Sequence, residues 1–290
     1  MEINYATFSD ADSKFPYLLK QIQNPPEKIF FLGEMPADPP EGQTKIAIVG
    51  TRKATLTGKI FAKNLAKKLA SRGFIIVSGL AMGIDTAAHE GCLEASGKTI
   101  AVLANGLDKI YPAQNESLAK NILKSGGALL SEYPEGTPSY PSQFLERNRI
   151  VSGLCAAVIV IEAPQRSGSL ATARNAVEQG REVFVIPGPA NHPNYKGSHS
   201  LIRDGARLVS SIEDILEDLG VETSNQNPPE NNITDPGQLK VLQIILNAGE
   251  PLSIDKIIEI SKLDPQTVNQ SIALLTIAGA IKESGRGYTI

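Results

Sequence analysis

The chain has 290 residues, 41% of them hydrophobic and 20% charged, and 28 basic against 31 acidic side chains leave a formal net charge of −3. Disorder is excluded as the default, the length suits one large core plus a small module, and the acidic sum argues against a polyanion partner unless basic residues cluster. No apolar stretch approaches the roughly 18 residues of a membrane span, Met1 leads into Glu2, Asn4 and Asp10 without a basic-then-apolar run, and Cys92 and Cys155 lack metal or redox spacing. These features predict a soluble, cytoplasmic protein with reduced thiols and no membrane insertion.

In chain order, residues 1–44 form a proline-punctuated preface, with Pro16, Pro25, Pro26, Pro36, Pro39 and Pro40. One or two short helices and a strand packed on a sheet edge are expected there, as an accessory cap. Continuous apolar runs then predict strands near 45–49, 74–78, 99–103, 128–131, 155–161, 182–186 and 207–209, with helical stretches between most of them. Unbroken rather than alternating apolar runs suit a parallel sheet covered on both faces. The fold class expected for residues 45–219 is therefore α/β, with an extended Rossmann-like, doubly wound, mostly parallel sheet. Residues 220–236 are rich in Asn, Pro, Ser and Thr and read as a flexible linker. In 237–290 three helices (236–247, 253–261 and 264–278) and a hairpin predict a small C-terminal winged-helix domain. Its recognition helix, beginning Pro265-Gln266-Thr267-Val268, carries no Lys or Arg, which favours a protein contact over duplex binding.

Three strand ends carry loops suited to anions. Gly50-Thr51-Arg52-Lys53 follows the first parallel strand, Ser78-Gly79-Leu80-Ala81-Met82-Gly83-Ile84-Asp85 the second, and Ser167-Gly168-Ser169 opens a helix after Val158-Ile159-Val160-Ile161-Glu162. Glycine lets backbone approach a ligand, and a helix start presents unpaired N–H groups. In a doubly wound sheet such loops converge beyond the carboxyl ends of the strands. From Lys45 to Ile84 the chain holds eight basic residues and no acid. Lys59, Lys63, Lys67 and Lys68 read as a solvated helix face, whereas Arg52 and Lys53 sit in a ligand loop. Arg166 and Arg174 flank the Ser-Gly-Ser loop, and Lys196, Arg203 and Arg207 add charge further on. In Phe144-Leu145-Glu146-Arg147-Asn148-Arg149 the two arginines cannot share a helix face. One is expected to face ligand, with Arg147 favoured, and the other to tie down the sheet end; Phe144 either stacks on a base or caps the core. Neither a Walker A loop nor a Gly-x-Gly-x-x-Gly turn is present. His89, His192 and His199 show no metal-ligand or nucleophile-base spacing, and they read as structural or phosphate-contacting.

Taken in order, Gly50-Thr51-Arg52, Ser78 to Asp85, Gly106-Leu107-Asp108-Lys109-Ile110-Tyr111-Pro112, Phe144 to Ile150, Glu162-Ala163 with Ser167 to Ala173, and Gly180 to Gly188 resemble the DNA-processing protein A family (DprA, or Smf). The resemblance covers roughly residues 12–219, and the C-terminal module is similar to one appended in many members. It implies a single-stranded DNA-binding protein, not an enzyme, that protects incoming strands during natural transformation and loads a RecA-type recombinase. It also implies a homodimer formed through the Rossmann-like domain, and no cofactor or metal. Arg52 would be the first phosphate contact. Gly50, Thr51, Ser78, Gly79, Gly83, Ser167, Gly168 and Ser169 would line the site, Phe144 with Arg147 would meet base or sugar, and Lys53 and Arg174 would add charge. Two departures stand out: the preface leaves little room for the helical domain many relatives carry in front, and Tyr140-Pro141-Ser142-Gln143 lacks the basic residue some relatives place before the Phe-x-x-Arg-Asn-Arg motif.

Two other classes compete. A nucleoside-monophosphate phosphoribohydrolase of the lysine-decarboxylase-like group has a similar sheet, but Thr172 stands where that group's loop carries its Glu. A scaffold whose basic loops are merely solvated is the third reading.

Overall fold

The computed structural model describes residues 6–39, 42–221, 235–248, 250–277, 280–285 and 287–289. The chain divides into two compact units, between Val221 and Glu222.

In the first unit a nine-stranded sheet is built from β1 (Ala6–Ser9), β2 (Lys28–Gly33), β3 (Lys45–Gly50), β4 (Ile75–Ser78), β5 (Thr99–Leu103), β6 (Ala128–Ser131), β7 (Ala157–Ile161), β8 (Glu182–Val185) and β9 (Arg207–Leu208). Their spatial order is β1-β2-β6-β5-β4-β3-β7-β8-β9. Strands from β6 to β9 run parallel, while β1 and β2 are antiparallel additions at one edge. Strand order reverses at β3, which pairs with β4 on one side and with β7 on the other, Gly50 opposite Ile161. That reversal opens a crevice beyond the carboxyl ends of β3 and β7.

The helices of this unit are α1 (Tyr17–Lys20), α2 (Leu56–Ser71), α3 (Ile84–Glu94), α4 (Glu116–Lys124), α5 (Pro141–Gly153), α6 (Gly168–Glu178), α7 (Lys196–Arg203) and α8 (Ile212–Asp218). Alternation along the strands sorts the core into two faces. Ala47, Val49, Val77, Val102, Val158 and Val160 pack with Ile150, Val151 and Ala173 from α5 and α6. Ile46, Ile48, Ile76, Ile159 and Ile161 pack with Leu65, Leu69, Ala88 and Ile215 from α2, α3 and α8. Both faces being covered, neither needs a polar residue, and that is why the strands read as unbroken apolar runs.

Two expectations change. The preface is not a separate cap, because β2 pairs with β6 and the sheet runs on across the 44/45 division. Lys45 does not belong to a basic field: it is buried, its ammonium donates to the Ala37 carbonyl at 3.1 Å and pairs with Asp38, and Asp38 also accepts from the Tyr17 amide. A buried charge requires such a partner, and this one holds Ala37 and Asp38 to the first parallel strand. Lys63 and Lys67 lie on an exposed helix face as expected, with Glu94 2.7 Å from Lys63 and 3.8 Å from Lys67.

The second unit has three helices, α9 (Pro236–Ala248), α10 (Ile254–Ser261) and α11 (Pro265–Ile277), then the antiparallel pair β10 (Lys282–Ser284) and β11 (Gly287–Thr289). Val241, Ile245, Ile257, Val268, Ile272 and Leu275 form its core. Of the expected linker, 222–234 lie outside the described residues, as do 278 of the expected third helix and 290 of the hairpin. Among the described residues no helix is long and apolar enough to cross a membrane.

Candidate functional site

A cavity of about 570 Å³ lies at the strand-order reversal, floored by the loops after β3, β4 and β7 and walled by α5 and α6. Its most exposed edge is cationic and aromatic. The Arg52 guanidinium sits 4.8 Å from the Phe144 ring centroid, and Tyr111, 46% exposed, lies 5.5 Å from the same ring. An exposed guanidinium against an aromatic face leaves its remaining N–H groups free for phosphate and extends the flat surface available to a base.

The loop carrying Arg52 is held from both sides. The Thr51 amide donates to the Glu162 carbonyl at 2.8 Å, and the Asn194 side-chain amide donates to the Lys53 carbonyl at 3.1 Å. Glu162 itself is buried and left-handed, at φ +51°. Its carboxylate accepts from the Thr55 amide (2.9 Å), the Thr55 hydroxyl, Asn194 (3.0 Å) and the Tyr195 hydroxyl (3.2 Å). Burial alone would raise its pKa, but these donors together lower it, so Glu162 is an ionised clamp at the start of α2. Across the loop Gly83, at φ +88°, admits no Cβ, which would fall 2.8 Å from the Arg52 carbonyl oxygen. This glycine lets α3 close against the loop.

On the opposite wall Ser167 caps α6, accepting from the Ser169 amide at 3.3 Å, with the two hydroxyls 2.7 Å apart. Asn148 of α5 donates to the Gly168 carbonyl at 3.1 Å, fixing the helix start. The wall is therefore hydroxyl-lined and ends in helix N–H groups, an anion-receiving arrangement.

Arg147 and Asp85 form the buried floor. Arg147 is 4% exposed and donates to the carbonyls of Gly79, at 3.0 Å, and Val102, so it ties the ends of β4 and β5 together. Asp85 accepts from the amides of Gly79 and Ala81 at 3.1 and 3.4 Å. A Cβ on Gly79 would lie 2.6 Å from Arg147 Nη2 and 2.8 Å from Asp85 Oδ2, so both groups press on bare backbone. Burial raises the Asp85 pKa against the opposing field of Arg147, and it pulls Arg147 down to about 10, still cationic at neutral pH.

Of the thirteen expected site residues, Gly50, Thr51, Arg52, Gly79, Phe144, Arg147, Ser167, Gly168 and Ser169 line this cavity. Four do not. Ser78 is buried and donates to the Ile48 carbonyl at 2.7 Å, a cross-strand tie. Gly83 acts through close approach, while Lys53 and Arg174 are exposed and do not line the cavity. The division of labour between the arginines of α5 also changes. Arg147 has its guanidinium engaged with strand-end carbonyls and only borders the cavity, while Arg149 pairs with Glu132, so both tie the sheet end. Phe144, half-buried, faces the cavity with Arg52. Sequence reasoning gave no role to Tyr111, Asn148 or Asp85, and left Arg166 only as a flanking charge, yet all four line the cavity. Tyr111 lay inside a motif whose spacing says nothing about direction. Arg207 is engaged by Glu182 and Asp218. Both cysteines are buried; burial raises the Cys155 thiol and pushes Cys92 up to about 12. Among the described residues no group of three or more His, Cys, Asp or Glu side chains could hold a metal.

A doubly wound sheet with a cationic, hydroxyl-lined crevice at its switch point defines a Rossmann-like protein equipped to receive an anionic ligand. More narrowly, the chain belongs to the DNA recombination-mediator protein A family, whose family model matches residues 6–220. It is 41% identical to protein Smf of Escherichia coli strain K12 over 287 residues, covering 96% of this chain and 75% of that protein. It is similar in structure to DNA processing protein A of Streptococcus pneumoniae, at TM-score 0.69 and 42% identity over 74% of each chain. A second similar structure, TM-score 0.65 and 32% identity over 75% of this chain and 96% of the other, is DNA processing protein A of Helicobacter pylori, described for its single-stranded DNA binding mode. The chain is thus a DNA-processing protein of the recombination-mediator class.

Proposed function

We propose that the crevice binds single-stranded DNA, and that the protein shields incoming strands and loads a RecA-type recombinase onto them during natural transformation and recombination. It acts as a homodimer through its Rossmann-like unit, as a binding protein rather than an enzyme, and without cofactor or metal. The observation that carries the reading is the Arg52 guanidinium over Phe144, beside Tyr111 and facing the Ser167–Ser169 helix start. Phosphate can be held by cation and N–H groups while a base stacks on the aromatic side, which is how single strands are bound without sequence readout. The description of the Helicobacter pylori relative supports the same ligand. The phosphoribohydrolase reading finds a buried threonine, Thr172, at the position of that group's Glu.

Fluorescence anisotropy of a labelled single strand, with a duplex competitor and a salt series, tests the reading. The wild type should prefer the single strand, with log K falling with log[salt] at about −0.7 per phosphate neutralised. Arg52→Ala should weaken binding at least about tenfold and make the slope shallower by about one contact. Equal duplex binding, or an Arg52→Ala variant indistinguishable from wild type, would remove the crevice as the site. Assembly of recombinase filaments on protein-coated strands tests the loading step.

A further inference from the structure

We propose, building on the single-strand reading above, that the bound strand continues over the Pro164–Arg166 rim into a second phosphate-binding groove on α7, held by Lys196, Ser200 and Arg203. This groove, of about 520 Å³, is distinct from the crevice and is lined by Gln165, Lys196, Ser200, Arg203 and Asp204.

Four of those residues fall at i, i+4, i+7 and i+8 of α7 and its C-cap, so they share one exposed face. The opposite face anchors the helix, with Leu201 and Ile202 against the core. Its first turn is tied to the loop after β7. The Gly197 and Ser198 amides donate to the Ala163 carbonyl at 2.8 and 3.1 Å, the Ala163 amide donates to the Ser198 hydroxyl at 3.0 Å, and a Cβ on Gly197 would lie 2.6 Å from the Pro164 carbonyl oxygen.

One rigid loop therefore serves both depressions. Pro164 and Arg166 line the crevice, whereas Gln165 between them lines the groove. Lys196 and Arg203 make no ion pair with any described residue, unlike Arg207, Lys63 or Lys67, and Asp204 lies beyond ion-pair distance of both. With Asp204 counted, the groove keeps one net positive charge, and Arg166 adds another at the rim. Two unpaired cations and a hydroxyl on one helix face suit phosphate oxygens, and a depression one residue from the crevice suits the next phosphodiesters of the same strand.

The test uses the full chain, oligonucleotides from about 4 to about 16 nucleotides, and the double variant Lys196→Ala/Arg203→Ala. Both side chains are exposed, and thermal melting verifies that the variant stays folded. Wild-type affinity should rise with length. The double variant should match wild type on the shortest strands and fall behind on longer ones, with a salt slope shallower by about 1.4, two contacts at about 0.7 each. Lys196→Arg/Arg203→Lys should restore the slope. A double variant that follows wild type at every length, or loses the same factor at every length, overturns the path. Inorganic phosphate that competes through these two residues without any length dependence would make the groove a free-anion site, and also overturns it. These failures differ from failure of the crevice reading, in which the wild type does not bind single strands or Arg52→Ala is silent; that result would take the groove down with it.

Discussion

At the scale of residues, two neighbours on one helix turn have opposite tasks. Phe144 gives its ring to the cavity and to Arg52. Its replacement by Ala should weaken single-strand affinity by about 1–3 kcal/mol while leaving the salt slope unchanged, because stacking rather than charge is lost; anisotropy across salt separates the two. Arg147, three residues on, is a strut between strand ends. Arg147→Ala would strand the Gly79 and Val102 carbonyls and leave Asp85 buried without its nearby cation, at a cost of about 3–5 kcal/mol read by urea denaturation. His89 behaves differently again. The Thr99 hydroxyl donates to the Ile76 carbonyl at 2.6 Å, so at 2.7 Å His89 Nδ1 must be the donor to Thr99, and Nε2 faces the interior without a partner. Burial, reinforced by the charge of Arg147, lowers its pKa from 6.5 to about 3. The unfolded chain therefore binds a proton that the folded one refuses between those values, and the contribution to stability, complete above pH 6.5, is lost as pH falls through that window. Asp85, raised by burial, acts in the opposite direction above its ordinary value, where the folded chain holds a proton that the unfolded one releases. Between pH 7 and pH 5 the wild type should lose melting temperature relative to His89→Gln, each compared with its own value at pH 7.

At the scale of elements, loops are placed by what their neighbours leave out. The turn between β3 and α2 carries Arg52 in position because Glu162 grips its two ends and Gly83 gives α3 room to press on it. Gly83→Ala puts a methyl group into the Arg52 carbonyl at a left-handed backbone position, which should cost about 1–3 kcal/mol. Affinity for single strands should fall along with the melting temperature, because the displaced loop is the one holding the guanidinium. A retained affinity with a lowered melting temperature would uncouple the glycine from the site. The seven strands from β3 to β9 were legible in sequence to within one or two residues, since burial on both faces of the central ones removes polar interruptions, whereas β1 and β2 were not located. Lys45 was misread because a lone lysine at a strand start looks solvated until the segment carrying Asp38 folds over it. Asp38→Ala should accordingly destabilise the unit by about 3–5 kcal/mol, the consequence of leaving one buried charge unpaired, and urea denaturation would read it.

At the scale of the whole molecule, the site follows from topology. The chain leaves β3 for β4 on one side and returns to β7 on the other, and the crevice lies at their carboxyl ends. Every described residue lining the crevice belongs to the first compact unit. A chain ending at Val221 is thus expected to keep the single-strand affinity and salt slope of the full chain. A large loss would assign part of the binding to the second unit, whose excess of acids over bases already argues against a phosphate contact.

Sequence by itself determined the parallel strands, their helical layers, the three glycine-bearing strand ends and the family, because these depend on local periodicity and on ordered motifs. It also placed Arg52 and the Ser167–Ser169 turn, since a loop immediately after a parallel strand has one place to go. Tertiary structure alone decided which polar groups face the cavity. Ser78 turned into the sheet, Arg147 went to carbonyls 68 and 45 residues away, and Tyr111 swung in beside Phe144. A side chain's direction depends on which distant backbone groups need a partner, and that demand exists only once the strands are side by side.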